Sequence, residues 1–593
     1  MDSYLYLAFD AGLFGPGATG TFDLYETRRT ATGWRTIRRM TPSGQEAIIT
    51  EPGGVAADHR YGFVFIPALN KEAGALEEGS YLSRPDGSFE PIGIGDLGTE
   101  PYAQGRYISP SAEHIIFTTG PLVGGVWCAQ AGSRCAVKQL ESNAAPTGTS
   151  AIYDRSPTGD TRVVSLLPGD VPLSAGQAAE YQGVSANGAA VAFKTGGTLY
   201  VRLDNTTTKS VTTSPATYAG LSADGERLFY VAGGNIYRFD TGAGTTEQVT
   251  TTADAKIVNI SPDGTHVYFI SASQLDGSEG TAGAPNLYLW AGSAIKYITT
   301  VSGGDLTHTS GEHGNYPALG NWTEVVTSPE NNLGSEGDGP GANSSRTTPD
   351  GNVLIFESRE QLTAFANDGH TEIYRFDALA GTLECVSCHP LGTPPTTDAR
   401  LQELTAVWPG ILIHNLSDDG SRVFFETSEA LVARDTDGIN DIYEWEESGL
   451  GSGELHLIST GKSVEYPSGT ERAAGAYWLP NTIFSITPSG SDVVFGSLEQ
   501  LTPAAGAGGV QAIYDARVNG GFPEAALPAP PCADIGSCHG AEGGSPVVGV
   551  PRSDEIRGKG NVKPRRCHRR RAKHKHVKPR RCHRRNSKKA SSR

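Results

Sequence analysis

One phrase recurs along most of this chain: a polar turn containing Asp-Gly or a close variant, followed by alternating apolar residues. Asp or Asn bonds its own backbone in such a turn, and Gly adopts positive φ. The period-two alternation predicts a half-buried β-strand. Clear copies are ISPDGTHVYFIS at 260–271, LSADGERLFYV at 221–231, LSDDGSRVFFET at 416–427, TTPDGNVLIFES at 347–358, VSANGAAVAFKT at 184–195 and ITPSGSDVVFGS at 486–497, with weaker copies at 108–119 and 55–66.

A second phrase, with Tyr near its centre, follows most copies of the first. It predicts another strand, and we expect its Tyr to anchor that strand against the neighbouring unit. The copies are NIYRFD at 235–240, NLYLWA at 286–291, EIYRFD at 372–377, DIYEWE at 441–446, AIYDAR at 512–517, TLYVRL at 198–203, AIYDRS at 151–156 and DLYETR at 23–28.

The spacing of the repeats predicts the fold. Successive starts lie 37 to 87 residues apart; the short spacings match a four-stranded unit of about 40 residues, and the long ones require inserted loops. Four strands cannot bury both faces of their sheet alone, so the units should pack around a ring. We therefore predict an all-β protein, a β-propeller of about seven or eight four-stranded blades over residues 1–522. Residues 4–39 look like a blade that is truncated or is closed by the two chain ends.

The Ser-Pro-Asp-Gly turn, the V-x-F strand and the Asp/Asn-Ile-Tyr strand resemble the WD-like repeats of TolB-type β-propellers, over roughly residues 4–520. The resemblance implies a propeller, and it leaves function open among binding platforms, periplasmic interaction proteins, lyases and peptidase lids. The phrase LECVSCHPLGTPP at 383–395 also resembles large secreted actinobacterial propellers. The G-x-S-x-G motif of a peptidase domain is missing from the sequence, which argues against that class.

The net charge of −17 conceals two regions of opposite sign. Residues 557–593 contain 18 Lys or Arg and no acidic residue, whereas residues 1–556 contain 30 basic and 65 acidic residues. With few apolar residues, the tail is predicted to be disordered and to bind an anionic polymer of the cell envelope. It lacks interleaved aromatic residues, so we expect no sequence-specific binding to nucleic acid. The Pro- and Gly-rich stretch 523–556 is predicted to be a linker.

The predicted location is extracellular or associated with the cell envelope. No apolar run reaches 18 residues, so no transmembrane segment is predicted. The chain opens MDSYLYLAFDAGLF, without the pattern of a signal peptide, and reads as a strand within a repeat; we expect the true amino terminus to lie upstream. We also expect a monomer.

Eight cysteines fall into close pairs, which is typical of disulfides in an oxidising compartment. Cys385 and Cys388, with His389, also match the C-x-x-C-H pattern of covalent haem c attachment. That motif ends a predicted strand and precedes a Pro-rich loop, which is a poor setting for a haem, so a local disulfide is preferred over haem or zinc. The disulfide candidates are Cys128 with Cys135, Cys385 with Cys388, and Cys532 with Cys538; Cys567 and Cys582 lie in the tail.

Three carboxylates around a Gly bend predict a structural calcium site. Asp435, Asp437 and Asp441 read D-x-D-G-x-x-D, and closely spaced carboxylates are the ligands that Ca²⁺ prefers. The corresponding loop at 366–372, ANDGHTE, retains Asp368 and Glu372 but lacks the first carboxylate. A solvated Asp-Gly turn leading into a strand is the alternative.

The function predicted from the sequence is that of a binding or scaffold module without catalytic activity. Its recognition surface would be the long loops at 272–285, 303–345 and 389–414, which would take a protein or glycan ligand. The alternative is a polysaccharide lyase or glycoside hydrolase with a site in the propeller channel. No catalytic or cofactor-binding residue is assigned, since the strands that would build such a site lie far apart in the sequence.

Overall fold

A computed structural model describes residues 3–9, 22–42, 54–66, 76, 79–120, 137–306, 345–401, 414–449, 453–463, 481–502, 512–518 and 520–521. The chain divides into two compact units, Met1–Glu524 and Ala525–Arg593. All the described residues belong to the first unit, and they are almost entirely strands and turns. None of the helices among them has the length and apolar character needed to cross a membrane.

The first part of the chain forms four sheets. Sheet 1 contains β1 (Ser3–Phe9), β2 (Phe22–Thr30) and β3 (Gly33–Arg39); sheet 2 contains β4 (Gly62–Ile66), β5 (Gly79–Ser83) and β6 (Phe89–Pro91), followed by the small pair β7 (Gly93–Gly95) and β8 (Gly98–Glu100). Sheet 3 contains β9 (Gln104–Ile108), β10 (Ile115–Thr119), β11 (Ala151–Arg155) and β12 (Thr161–Val163), followed by β13 (Leu166–Leu167) and β14 (Val171–Pro172). Sheet 4 contains β15 (Glu180–Val184), β16 (Ala190–Thr195), β17 (Thr198–Leu203) and β18 (Thr207–Thr212).

Five further sheets follow. Sheet 5 contains β19 (Thr217–Leu221), β20 (Arg227–Ala232), β21 (Asn235–Asp240) and β22 (Thr245–Gln248); sheet 6 contains β23 (Lys256–Ile260), β24 (His266–Ser271), β25 (Asn286–Ala291) and β26 (Ala294–Thr300), then a 3-10 turn at Gly303–Leu306. Sheet 7 contains β27 (Ser345–Thr347), β28 (Val353–Ser358), β29 (Glu372–Asp377) and β30 (Thr382–Cys385). Sheet 8 contains β31 (Ala399–Arg400), β32 (Arg422–Thr427), β33 (Asp441–Glu447) and β34 (Gly453–Leu457), and sheet 9 contains β35 (Asn481–Ile486), β36 (Asp492–Ser497) and β37 (Ala512–Arg517).

The strand order in each sheet confirms the prediction of a multi-blade β-propeller. Every sheet is antiparallel, with its strands in sequence order. The Asp-Gly turns join the first and second strands, as at Gly264, whose φ of 67° lies in the region that favours glycine. Nine sheets of three or four strands occur within the described ranges, compared with the seven or eight blades predicted.

The hydrophobic core lies between consecutive sheets. One cluster joins Tyr268 and Leu289 of sheet 6 to Phe356 and Tyr374 of sheet 7. Further clusters of the same kind join sheets 4 and 5, 5 and 6, 7 and 8, and 8 and 9. Each sheet therefore buries its apolar faces against its neighbours, as the repeat pattern requires.

The first and last sheets are in contact, which makes the series circular. Arg29 of β2 bonds Asp492 of β36 at 2.5 Å, and Trp34 Nε1 of β3 donates to Asp515 Oδ2 of β37 at 2.9 Å. On the other side of sheet 1, Arg38 donates to the carbonyl oxygen of Arg84 in the turn after β5, at 3.0 Å.

At one end of the sheets, the connections differ greatly in length from sheet to sheet. In four antiparallel strands taken in order, the second-to-third connection and the link to the next sheet leave from the same end. We call this end the loop face; it carries 272–285, 359–371, 386–398 and 428–440 in sheets 6 to 8. In sheets 4 and 5 the second-to-third connection is only a two-residue turn, at 196–197 and 233–234.

Candidate metal centre

A tyrosine holds each long loop of the loop face in sheets 6 to 9. In sheet 8, Tyr443 stacks on Phe425 of the adjacent strand, with ring centroids 5.8 Å apart. Its Oη lies 3.2 Å from the carbonyl oxygen of Glu429 and accepts from the backbone N–H of Leu431 at 3.2 Å. Tyr443 also belongs to the apolar cluster that contains Ile355 and Ile373 of sheet 7. It therefore packs against the neighbouring unit, as the sequence predicted, and it also fixes the loop.

Similar hydrogen bonds recur around the ring. The hydroxyls of the equivalent tyrosines form hydrogen bonds with backbone groups of their own loops. These pairs are Tyr288 with Ser273 and Leu275, Tyr374 with Glu360, and Tyr514 with Glu499 and Leu501. The described residues of these loops are consequently fixed in a common position, and their chemistry depends on the residues between the tyrosine and its backbone partners.

The loop of sheet 8 brings the three predicted aspartates together. Carboxylate oxygens of Asp435, Asp437 and Asp441 lie within 4.8 Å of one another. Asp435 is 4% exposed and Asp441 is fully buried, whereas Asp437 is half-buried. The cluster therefore opens toward solvent at Asp437. In the described part of the chain, no Lys, Arg or His side chain forms an ion pair with any of the three.

Local hydrogen bonds shape the acidic loop. The Oδ1 of Asp437 accepts from the backbone N–H of Ile439 at 2.8 Å, across a bend at Gly438, whose φ is 67°. The Oδ2 of Asp435 accepts from the hydroxyl of Tyr443 at 2.5 Å. The same tyrosine thus fixes both the start of the loop and one of its carboxylates.

Residues after β34 complete the surroundings of the loop. The hydroxyl of Ser459 bonds Asp441 Oδ1, and the backbone N–H of Ser463 bonds Asp437 Oδ2. Gly461 lies close behind the loop: a Cβ at this position would come within 2.5 Å of the Asp435 Cα. Only glycine allows so close an approach at a positive φ of 67°.

The next sheet contributes Asn481, the first residue of β35. Its Nδ2 donates to Asp441 Oδ1 at 3.2 Å, to Ser463 Oγ at 2.7 Å and to the carbonyl oxygen of Asn440 at 3.0 Å. In return, Asn440 Nδ2 donates to the carbonyl oxygen of Asn481 at 3.0 Å. Sequence reasoning missed this residue, because no local pattern marks an asparagine 40 positions after the loop as its neighbour.

The electrostatics of the cluster disfavour its full negative charge. Burial raises the pKa of Asp441 to about 7; the Ser459 hydrogen bond opposes this, and the negative charges of Asp435, Asp437 and Glu499 add to it. Burial also raises the pKa of Asp435, against the hydrogen bond from Tyr443. These carboxyls need either protons or a cation to be neutralised.

The corresponding loop of sheet 7 is built in the same way with less charge. Glu372 takes the place of Asp441, and it accepts from the hydroxyl of Ser387 as Asp441 does from Ser459. Burial raises the pKa of Glu372 to about 7. Asp368, which corresponds to Asp437, is exposed. The structure thus does not bring Asp368 and Glu372 together into a group of carboxylates comparable to that of sheet 8.

Cys385 and Cys388 are joined by a disulfide, with Cα atoms 5.5 Å apart. Their sulfurs lie near Glu372, but disulfide sulfur lacks the thiolate needed to bind a metal. His389 lines a small pocket of about 220 Å³ together with Glu372, Ser387 and Glu429. The candidates Cys128, Cys135, Cys532 and Cys538 lie outside the described residues, as do 523–556 and the basic tail.

Solved structures similar to this one are propeller proteins of several kinds. Dipeptidyl peptidase 4 of Porphyromonas gingivalis matches 80% of this chain at 12% identity with a TM-score of 0.39, and the match spans only 58% of the peptidase chain. TolB of Acinetobacter baumannii matches 59% of this chain and 71% of its own at 16% identity with a TM-score of 0.23. No protein-family model and no curated protein matches the sequence. The fold, as the strand order of the described sheets shows, is that of a multi-blade β-propeller. Identities this low transfer neither activity nor partners.

Proposed function

We propose that this TolB-like propeller is a secreted or envelope-associated binding scaffold whose ligand, a protein or a glycan, is held by the loop face. The observation that carries the proposal is the unequal length of its connections. The second-to-third connections of sheets 6 to 8 are loops of thirteen or fourteen residues, at 272–285, 359–371 and 428–440. The same connections of sheets 4 and 5 contain two residues. Since two residues suffice to connect these strands, the longer loops are not required by the fold.

The buried charges support a rigid scaffold. Arg375 in sheet 7 is almost fully buried and bonds Glu384 Oε1 at 2.9 Å and Glu447 at 3.3 Å, across to sheet 8. Arg155 in sheet 3 reaches Glu90 of sheet 2 at 2.9 Å. Arg375 with Glu447 and Arg155 with Glu90 thus form ion pairs between neighbouring sheets, and each buried guanidinium has the partner that a buried charge requires.

The pocket that His389 and Glu429 line also favours recognition by an extended surface. Its volume of about 220 Å³ includes open solvent, and only about 10 Å³ of it is accessible to the centre of a water-sized molecule, far less than a site that encloses a small molecule requires. A partner held by several loops would instead contact sheets 6, 7 and 8 together. We further propose that the basic tail, residues 557–593, retains the protein on an anionic envelope polymer.

Sedimentation with purified, insoluble cell walls containing teichoic acid tests both proposals. One variant replaces 272–285 with Gly-Gly, as found at 196–197 and 233–234; a second ends at residue 556. We expect the shortened loop to weaken the binding that persists in high salt, and removal of the tail to weaken only the salt-sensitive part. Unchanged binding in both variants would contradict the proposal, and release of soluble sugar would favour a polysaccharide-acting enzyme.

A further inference from the structure

Unpartnered oxygens surround the acidic loop of sheet 8. Asp435 Oδ1, Asp441 Oδ2 and Asn481 Oδ1 are all buried, and none has a hydrogen-bond partner among the described residues. Asn481 is fully buried and is not part of the acidic sequence motif. A buried acceptor without a donor destabilises the fold, and more so when it is charged. Three such oxygens on adjoining side chains can together bind a cation or accept hydrogen bonds from a donor.

The negative charge of the loop favours a cation as the partner of these oxygens. Three carboxylates with oxygens within 4.8 Å cannot all be ionised in a buried place without compensation. Glu499, which accepts from Ser463 Oγ at 2.7 Å, adds a fourth negative charge nearby. Asp435 and Asp441 could share a proton, but that would leave Asn481 Oδ1 without a partner.

The donor atoms decide the class of cation. Asp435, Asp437 and Asp441 offer carboxylate oxygens, and Asn481 offers an amide oxygen; nitrogen and sulfur ligands are lacking in this group. Hard cations prefer such a set, and Ca²⁺ tolerates the irregular geometry of a loop better than Mg²⁺ does. The half-buried side of Asp437 leaves room for water ligands and an entry path.

We propose that Asp435, Asp437, Asp441 and Asn481 bind one Ca²⁺ that ties the loop of sheet 8 to the first strand of sheet 9. Asn481 begins β35, so its ligation would add to the apolar packing and the hydrogen bonds that already join sheets 8 and 9, among them the one from Ile483 N–H to Glu426 Oε1 at 2.6 Å. The site stabilises the loop face whatever the ligand of that face is, and it goes beyond the role of a binding scaffold.

Thermal unfolding of the full chain, stripped of metal with a chelator, tests the site. We expect about 5 mM CaCl₂, above the dissociation constants of weak extracellular sites, to raise the unfolding midpoint by a few degrees, because the ion binds only the folded state. Substituting both Asp435→Asn and Asp441→Asn should abolish the shift. The matched control is Glu372→Gln, which neutralises the corresponding carboxyl of sheet 7 and should leave the shift intact.

A single variant keeps the test valid if the Asp435→Asn, Asp441→Asn double variant does not fold. Asp437→Asn changes a half-buried side chain and should weaken calcium binding on the order of tenfold, since affinity follows the number of charged ligands. The proposal is overturned if the unmodified chain shows no shift with CaCl₂, or if the shift persists unchanged in Asp437→Asn or in the double variant. Cell-wall binding that fails while the calcium shift remains would contradict the scaffold role alone.

Discussion

The loops that enter the third strands of sheets 7 and 8 occupy the same place in the fold but differ in charge. Both are fixed by a tyrosine, Tyr374 or Tyr443, and both end in a buried carboxyl that accepts from a serine. Sheet 7 has one such carboxyl, Glu372, whereas sheet 8 adds Asp435 and Asp437. The shared frame sets the position of the loop, and the added aspartates are the basis of the proposed cation site.

Sheet 6 shows a third solution at this position. Asn286 stands where sheets 7 and 8 have Glu372 and Asp441, and its amide is fully engaged: Oδ1 accepts from Thr300 Oγ1 at 2.7 Å, and Nδ2 donates to the carbonyl oxygen of Thr281 at 2.9 Å. A neutral side chain satisfies the site without an ion. The unpartnered oxygens of sheet 8 are therefore not a general property of the repeat.

The shared frame is tested most severely by removing its tyrosines. Tyr443→Ala and Tyr374→Ala should each lower the free energy of unfolding by about 3–5 kcal/mol, as expected for a large buried aromatic residue. Only Tyr443→Ala should also abolish the calcium shift, because its hydroxyl bonds Asp435. Urea unfolding with and without CaCl₂ measures both effects.

Tyr200→Ala is the matched control for the loop hydrogen bonds. Tyr200 stacks on Phe193 in sheet 4 at 5.4 Å, but there the strands are joined by the Gly196-Gly197 turn and the side chain is half-buried. We expect a smaller loss than in sheets 7 and 8. Equal losses in all three variants would show that the loop hydrogen bonds contribute nothing measurable.

The carboxyl of Glu372 in sheet 7 should make the stability of the protein depend on pH. Its pKa is raised to about 7 in the folded protein, by burial and by the charges of Glu429 and Asp398, against about 4.3 in an unfolded chain. Between about pH 4 and 7, the folded state thus holds a proton that the unfolded state has released. The stabilising contribution of the Glu372 carboxyl to the folded state is therefore complete below about pH 4 and is lost as the pH rises to 7.

Glu372→Gln removes that titration. Relative to the unmodified chain, the variant should gain about 4 kcal/mol of stability at pH 8 and little at pH 4, in keeping with about 1.4 kcal/mol for each unit of pKa shift. Chemical unfolding at the two pH values gives the difference. An identical pH profile in both proteins would refute the raised pKa.

The disulfide that belongs to sheet 7 alone should have the smallest effect. Cys385 and Cys388 close a very short loop, so their bond removes little entropy from the unfolded chain. Reduction should cost about 1 kcal/mol at this position. The measurement is the change in the thermal unfolding midpoint when reductant is added. The same change in a Cys385→Ser, Cys388→Ser variant, which retains the other cysteines, is subtracted to isolate this disulfide. A much larger difference would mean that the bond holds more than its own turn.

The sequence was sufficient for the strands and for part of the site. Period-two alternation after Asp-Gly turns predicted β24 and β32, and the Ile-Tyr phrase predicted β25 and β33, because turn chemistry and alternation are local properties. The D-x-D-G-x-x-D spacing placed Asp435, Asp437 and Asp441 in one loop for the same reason.

What the sequence did not reveal depends on contacts between distant segments. Asn481 and Ser459 approach the loop only because sheets 8 and 9 pack together and β34 turns back beside β33. Burial, which raises the pKa of Asp441 and Glu372, is likewise a product of blade packing. The nine sheets of three or four strands within the described ranges match the eight repeat copies and the partial unit at 4–39, one more than the seven or eight blades predicted for one ring.

A crystal of the full chain soaked in a lanthanide that replaces Ca²⁺ provides the most direct measurement. The anomalous difference map should show a peak within about 2.3–2.6 Å of carboxylate oxygens of Asp435, Asp437 and Asp441, the usual range for calcium ligands, and none beside Glu372 in sheet 7. A map without density between the three aspartates, or with an equal peak at Glu372, would contradict the difference between the two loops on which this account depends.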